Sequence, residues 1–323
     1  MEIPVLLREE ITKLAQDYQQ NQLKQTAQNI TEKYKNESGQ GKHLVSTNME
    51  AAVYAMVRMP ATFGAVSSAL ESTLEMMDMD IHSVLDMGAG TGAASWAIRS
   101  VLDGELSFTC VERESAMIHY GKQLGKLDET LSKSIWIQRD LNEDIPEHAD
   151  LVVVSYALNE FSEEKRIQVL QKLWNATDKL FLILEPGTPV GSSQLKKAKD
   201  LLVEWGGHIV APCPHNDSCP MSDSNWCHFT TRVARSKIHK TLKNGDVPYE
   251  DEKFSYLAVS KEKVDVSFAR ILRHPIKEAG KITLQLCTKE GIETRIVTKK
   301  NKDCFKKARK SSAGDSFGKE SVE

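Results

Sequence analysis

The sequence predicts an α/β protein: a Rossmann-like parallel sheet covered by helices, with N-terminal helices before it and a small cysteine-bearing β module after it. Three observations predict this. Short, continuous apolar runs alternate with helical segments between residues 83 and 187, as in a sheet buried on both faces. A glycine-rich turn stands where the first of these runs gives way to a helix. Beyond residue 205 the pattern changes to a Cys- and Pro-rich stretch and then to alternating strands.

Residues 5–35 read as a polar helix, closed by the break Ser38-Gly39-Gln40-Gly41. A second helical region spans about 49–77, with Pro60 marking a break or kink. The apolar strands are 83–86, 106–111, 135–138, 151–155 and 180–184; helices fit up to Val101 and at 115–126 and 163–177. Residues 211–228 read as loop, and 254–259, 268–274, 281–287 and 292–298 as short antiparallel strands. The expected division is a helical region over 1–78, a cofactor-binding domain over 79–205, a cysteine and β module over 206–300, and a basic, poorly ordered tail over 301–323.

A chain of 323 residues with 40% hydrophobic and 27% charged content is ordinary for a soluble globular protein. No apolar run approaches a membrane span. The N-terminus lacks the regions of a secretory signal and is too acidic for a transit peptide, so a cytoplasmic location is expected. The net charge of −3 conceals an asymmetry. Residues 1–230 hold 20 Lys and Arg against 32 Asp and Glu; residues 231–310 hold 21 against 10. The basic third reads either as a polyanion-binding face or as a solvated tail.

In Asp86-Met87-Gly88-Ala89-Gly90-Thr91-Gly92 the glycines let the backbone approach a ligand where helix amides favour negative groups. Gly88, Gly90 and Ala93 also satisfy the dinucleotide pattern. Asp86 and the third glycine, Gly92, tilt the reading to S-adenosylmethionine and a class I methyltransferase fold. Glu112 ends the second strand, where it meets ribose hydroxyls in either reading, and Asp140 follows the third, where it meets the adenine amine. After the fourth strand, Asn159 and Glu160 are candidates to orient a substrate or accept a proton. They also read, and somewhat better, as the start of the next helix, with Ser162 as its cap.

Cys213, Cys219 and Cys227 follow a C-x5-C-x7-C spacing, and Cys287 lies 60 residues further on. Thiolates suit iron–sulfur clusters or zinc. The usual zinc knuckle is absent and two of these cysteines precede proline, as cluster ligands often do, while His215 and His228 keep zinc open. Unligated core cysteines are the remaining alternative. Cys110 reads as a buried apolar residue and Cys304 as a free thiol.

Taken together, Arg58-Met59-Pro60-Ala61-Thr62, the Asp86–Gly92 loop, Ala157-Leu158-Asn159-Glu160, Leu184-Glu185-Pro186-Gly187-Thr188-Pro189 and Cys213-Pro214-His215 through Trp226-Cys227-His228-Phe229 make a recognisable set. The chain resembles the methyltransferase-like family of mitochondrial and bacterial ribosomal small-subunit assembly factors. The resemblance implies a [4Fe–4S] cluster on Cys213, Cys219, Cys227 and Cys287, and binding to small-subunit rRNA. Arg295, Lys299, Lys300, Lys302, Lys306, Lys307, Arg309 and Lys310 then become candidate phosphate contacts. An rRNA methyltransferase, a non-catalytic assembly chaperone and a small-molecule or protein methyltransferase are the competing functions.

Overall fold

The structure, a computed structural model, describes residues 1–37, 44–145, 147–222, 225–243, 245–264 and 268–318. The break expected at Ser38–Gly41 lies outside them. Helices α1 (Val5–Lys13), α2 (Gln20–Glu37), α3 (Asn48–Val57) and α4 (Met59–Leu74) come first. A capping box opens α3, with Thr47 and Glu50 satisfying each other's backbone amides. Pro60 does not kink a long helix. It sits in the first turn of α4, where its missing N–H goes unneeded, and Arg58 separates the two helices.

The alternating region follows as β1 (Ser83–Met87), α5 (Ala93–Val101), β2 (Ser107–Glu112), α6 (Ser115–Gly125), β3 (Ile135–Gln138), β4 (Ala149–Ser155), α7 (Glu163–Asn175), β5 (Thr177–Pro186) and α8 (Pro189–Glu204). Next come β6 (His208–Ala211), β7 (Phe229–Ala234), α9 (Lys237–Lys243) and β8 (Tyr249–Ser260). The strand order is β3-β2-β1-β4-β5-β8-β6, parallel from β3 to β5, with β8 antiparallel to both its neighbours. This is the class I methyltransferase fold that the sequence predicts. The continuous apolar runs are explained by burial on both faces: Leu180, Leu182 and Leu184 enter one core, Phe181 and Ile183 the other. α4 crosses the sheet so closely that a Cβ on Gly64 would lie 2.5 Å from Val233.

Two boundaries differ from expectation. The main sheet does not end near residue 205, because β6, β7 and β8 all belong to it. β6 pairs with the last residues of β8 and β7 with its first. They form one edge strand interrupted by the Cys-rich residues 212–228. The four-residue β6 and the polar alternation of β7 hid this in the sequence.

The second correction concerns the basic tail. A smaller sheet contains β9 (Phe268–Ile271), β10 (Ile276–Glu278), β11 (Lys281–Thr288), β12 (Gly291–Thr298) and, after helix α10 (Lys302–Lys310), β13 (Ser316–Gly318). β13 pairs with β9, and α10 lays Ala308 with the half-buried Cys304 and Phe305 on the small core. Residues 302–318 are therefore structured. Three apolar residues in a run of lysines were too few to outweigh the composition. No helix among the described residues is long and apolar enough to cross a membrane.

Phe317 is 3% exposed in this small core. Phe317→Ala should destabilise the C-terminal module by about 3 kcal/mol, read as faster amide exchange in β9 and β11 while β1 and β4 stay protected.

Candidate functional site

A cleft of about 630 Å³, open mouth included, lies at the carboxyl ends of β1 to β4, where open α/β sheets bind ligands. Gly88 and Gly90 form its floor, with φ of +74° and +56°, in the left-handed region that glycine tolerates. The Gly88 and Ala89 amides donate to the Val111 carbonyl at 2.9 and 3.1 Å, which ties the loop to β2. Glu112 lines the cleft and accepts from the Gly90 amide at 2.8 Å and from the Glu114 amide at 2.9 Å. Asp140 lines it from the end of β3.

The remaining predicted residues divide. Asp86 does not line the cleft: it is fully buried beneath the loop, where Oδ2 accepts from the Ser95 hydroxyl at 2.7 Å and from its amide at 3.1 Å. Burial raises its pKa to about 6. Its role is to hold the start of α5, and an acidic residue beside a glycine loop looks the same in sequence whether it faces ligand or helix. Gly92 likewise turns away from the cleft, and a Cβ there would meet Trp136. Glu160 lines the cleft, whereas Asn159 is not among its lining residues. Both stand in a 3-10 turn, Leu158–Glu160, and Ser162 precedes α7 without a side-chain capping bond.

Sequence reasoning missed Arg113, the hub of the cleft. Its guanidinium reaches Glu114 at 3.2 Å, Glu160 at 3.2 Å and Asp140 at 3.7 Å. Burial is the main reason that Glu160 titrates at about 7; neighbouring Glu112, Glu114 and Asp140 add to the rise, and Arg113 opposes it. Tyr34, Tyr54 and Tyr156 were missed too. The first two come down from the N-terminal helices, with ring centroids 6.1 Å apart. Tyr156 has φ of +60°, an uncommon conformation for a side-chain-bearing residue, and its hydroxyl donates to Glu252 at 3.3 Å. Glu252 also faces Arg58 at 3.6 Å. A strained backbone at a cleft was the only signal available, and it is invisible in sequence.

The second site is a cavity lined by Cys213, Cys219 and Cys227 together with Lys196 and Lys199. Cys287, from β11, packs with Met221 and Leu272 against Cys219 and Cys227, and its Sγ lies 3.8 Å from His215 Nε2. Thus the loop and β11 bring all four cysteines together. Cys110 is buried in the main sheet, and Cys304 lies against the small core. Burial, then the neighbouring thiols, pushes the pKa of Cys227 and Cys287 up, to about 12 for Cys287. As bare groups these thiols are neutral, and a metal centre would reverse that, since it binds thiolates. The donor set fits such a centre. The fit is one of donor chemistry: among the described residues no group of three or more His, Cys, Asp or Glu side chains is placed to hold a metal ion.

The family described as "Mitochondrial small ribosomal subunit Rsm22" matches residues 48–318. The chain belongs to this family. Among curated relatives, the human "Ribosome assembly protein METTL17, mitochondrial" is 27% identical over 284 residues, covering 81% of this chain and 61% of that protein. The "Rsm22-cox11 tandem protein 2, mitochondrial" of Schizosaccharomyces pombe is 24% identical, covering 84% of this chain and 43% of that protein. The chain thus spans between two fifths and two thirds of the length of these two relatives. Solved structures with similarity include the magnesium protoporphyrin IX methyltransferase of Synechocystis PCC 6803 with bound SAM, at 11% identity and TM-score 0.42, covering 68% and 86% of the two chains. Another is the plantazolicin methyltransferase BpumL, at 12% identity and TM-score 0.43, covering 79% and 100%.

The candidate basic residues lie in two places. Lys299, Lys300, Lys302, Lys306, Lys307, Arg309 and Lys310 are exposed around α10, whereas Arg295 is half-buried and paired with Glu293.

Glu185, at the end of β5, is 1% exposed, and its carboxyl oxygens lack hydrogen-bond partners of good geometry. Burial raises its pKa to about 8, against the smaller pull of Arg166 and the amides of Asn159 and Leu158. The folded protein holds this proton while the unfolded chain releases it, so stability falls as pH climbs from about 4.5 to about 8. Glu185→Gln should flatten that fall by a few kcal/mol, on the order expected for such a shift, in denaturant titrations at pH 5 and pH 8.5.

Proposed function

We propose that this chain binds S-adenosylmethionine in the Gly88–Gly90 cleft, carries an iron–sulfur cluster on Cys213, Cys219, Cys227 and Cys287, and acts on small-subunit rRNA during ribosome assembly. The observation that carries the cofactor reading is the convergence of Gly88, Gly90, Glu112 and Asp140 on one cleft at the carboxyl ends of the parallel strands. Bound there, S-adenosylmethionine would supply an electrophilic methyl group. Glu112 would accept from ribose hydroxyls and Asp140 from the adenine amine. Tyr34, Tyr54 and Tyr156 would exclude water from the acceptor side, and Glu160, titrating near neutrality, would take up a proton there.

The name of the human relative and the description of the family support ribosome assembly as the setting. The four gathered cysteines support the cluster, with a zinc site as the alternative donor chemistry. One observation favours a non-catalytic assembly factor as the second reading: Arg113 engages Glu160, Glu114 and Asp140 together, which suits holding a ligand better than freeing a base. Methyl transfer to bare rRNA and to assembly intermediates separates the two.

S-adenosylmethionine should give a binding heat in isothermal titration of anaerobically purified protein. Gly90→Val should abolish it, because the new side chain grows toward Tyr54 and fills the cleft. Heat from NADH alone would overturn the cofactor. For the rRNA reading, replacing Lys306, Lys307, Arg309 and Lys310 with Gln should weaken rRNA binding and flatten its dependence on salt, since each phosphate contact releases a counterion. An unchanged affinity and salt slope would remove α10 from the interface.

A further inference from the structure

We propose that Lys199 is the counter-cation of a thiolate-bound centre in the cysteine cavity, acting on it by charge rather than by tethering the loop. The inference rests on the cluster reading above. Helix α8 presents Lys196 and Lys199, one turn apart, to the cavity that Cys213, Cys219 and Cys227 line. Lys199 is 2% exposed, a depth at which an ammonium is strongly disfavoured unless an anion compensates it. Its Nζ donates to the carbonyl of Asp217, within the Cys213–Cys219 segment. Among the described residues it forms no ion pair with a carboxylate; its other partner is the thiol of Cys213. Its charge is also felt at Cys287 and His215. Lys196 donates to the carbonyl of Met221, within the Cys219–Cys227 segment, at 3.0 Å.

A carbonyl is a neutral acceptor and leaves the ammonium's charge uncompensated. Four thiolates around either a zinc ion or an iron–sulfur core leave a net negative charge, which is the missing complement. The burial of Lys199 thus acquires a reason only when the thiols are ligands. This makes its effect opposite in the loaded and the metal-free protein, which a purely structural lysine would not do.

Lys199→Gln keeps a donor for the Asp217 carbonyl and removes the charge. From anaerobically purified protein it should release iron to a chelator faster by on the order of tenfold, the size of one charge-assisted hydrogen bond. After the iron has been stripped, the same variant should melt at a higher temperature than stripped wild-type protein. Lys199→Arg should keep the wild-type release rate, and Lys199→Met gives a second reading of the charge effect. Wild-type release from both uncharged variants, or a lower melting temperature for both in the stripped state, overturns this proposal while leaving the cluster standing. Wild-type protein that carries no iron or zinc overturns the cluster reading, and this proposal with it.

Discussion

The antiparallel seating of β8 against β5 is the constraint on which the rest of the molecule depends. Seven consecutive residue pairs, from Leu180–Ser260 to Pro186–Phe254, fix its register. A slip of one residue would turn every side chain of β8 to the wrong face. On its far edge β8 then organises β6 and β7 end to end, and with them the points where the Cys-rich segment leaves and rejoins the sheet. Its side chains reach both sites. Glu252 receives the Tyr156 hydroxyl and faces Arg58 beside the Gly88–Gly90 cleft, and Ser255 donates to the Cys227 carbonyl at 2.7 Å. Only two residues of one strand thus separate contacts made to two different sites.

The fold was legible wherever burial on both faces wrote itself as an unbroken apolar run. Strands 151–155 and 180–184 are of this kind, and the structure lengthens them by two and five residues. What escaped was determined by partners distant in sequence. The four residues of β6 have no signature of their own and become a strand only because β8 offers an edge. The helix α10 carries too few apolar residues for its amphipathic face to stand out among its lysines, yet Ala308 is fully buried.

The site was legible by the same logic. Gly88, Gly90, Glu112 and Asp140 sit at strand ends, and topology alone brings strand ends together. Asp86 was recognised as important but given the wrong task, since its chemistry serves equally beneath the loop or above it. Arg113, one residue beyond Glu112, gathers three carboxylates, and nothing in a linear sequence distinguishes a hub arginine from a solvated one. Tyr34 and Tyr54 stand far from the strand ends in sequence and reach the cleft only because the N-terminal helices lie over it.

The interrupted edge strand has a consequence for synthesis of the chain. β5 emerges with an apolar core segment, Leu180–Leu184, every residue of which is ultimately buried, but the strand that covers its free edge begins only at Tyr249. On a translating ribosome that edge stays unpaired for the length of α8, the Cys-rich loop and three further elements, β6, β7 and α9. An exposed apolar edge of this kind invites pairing with other nascent chains. Until β8 arrives, the protection of the nascent chain falls to α8 folding back across β5, which the helix's Thr188 cap and first-turn Pro189 favour locally, before any long-range contact has formed.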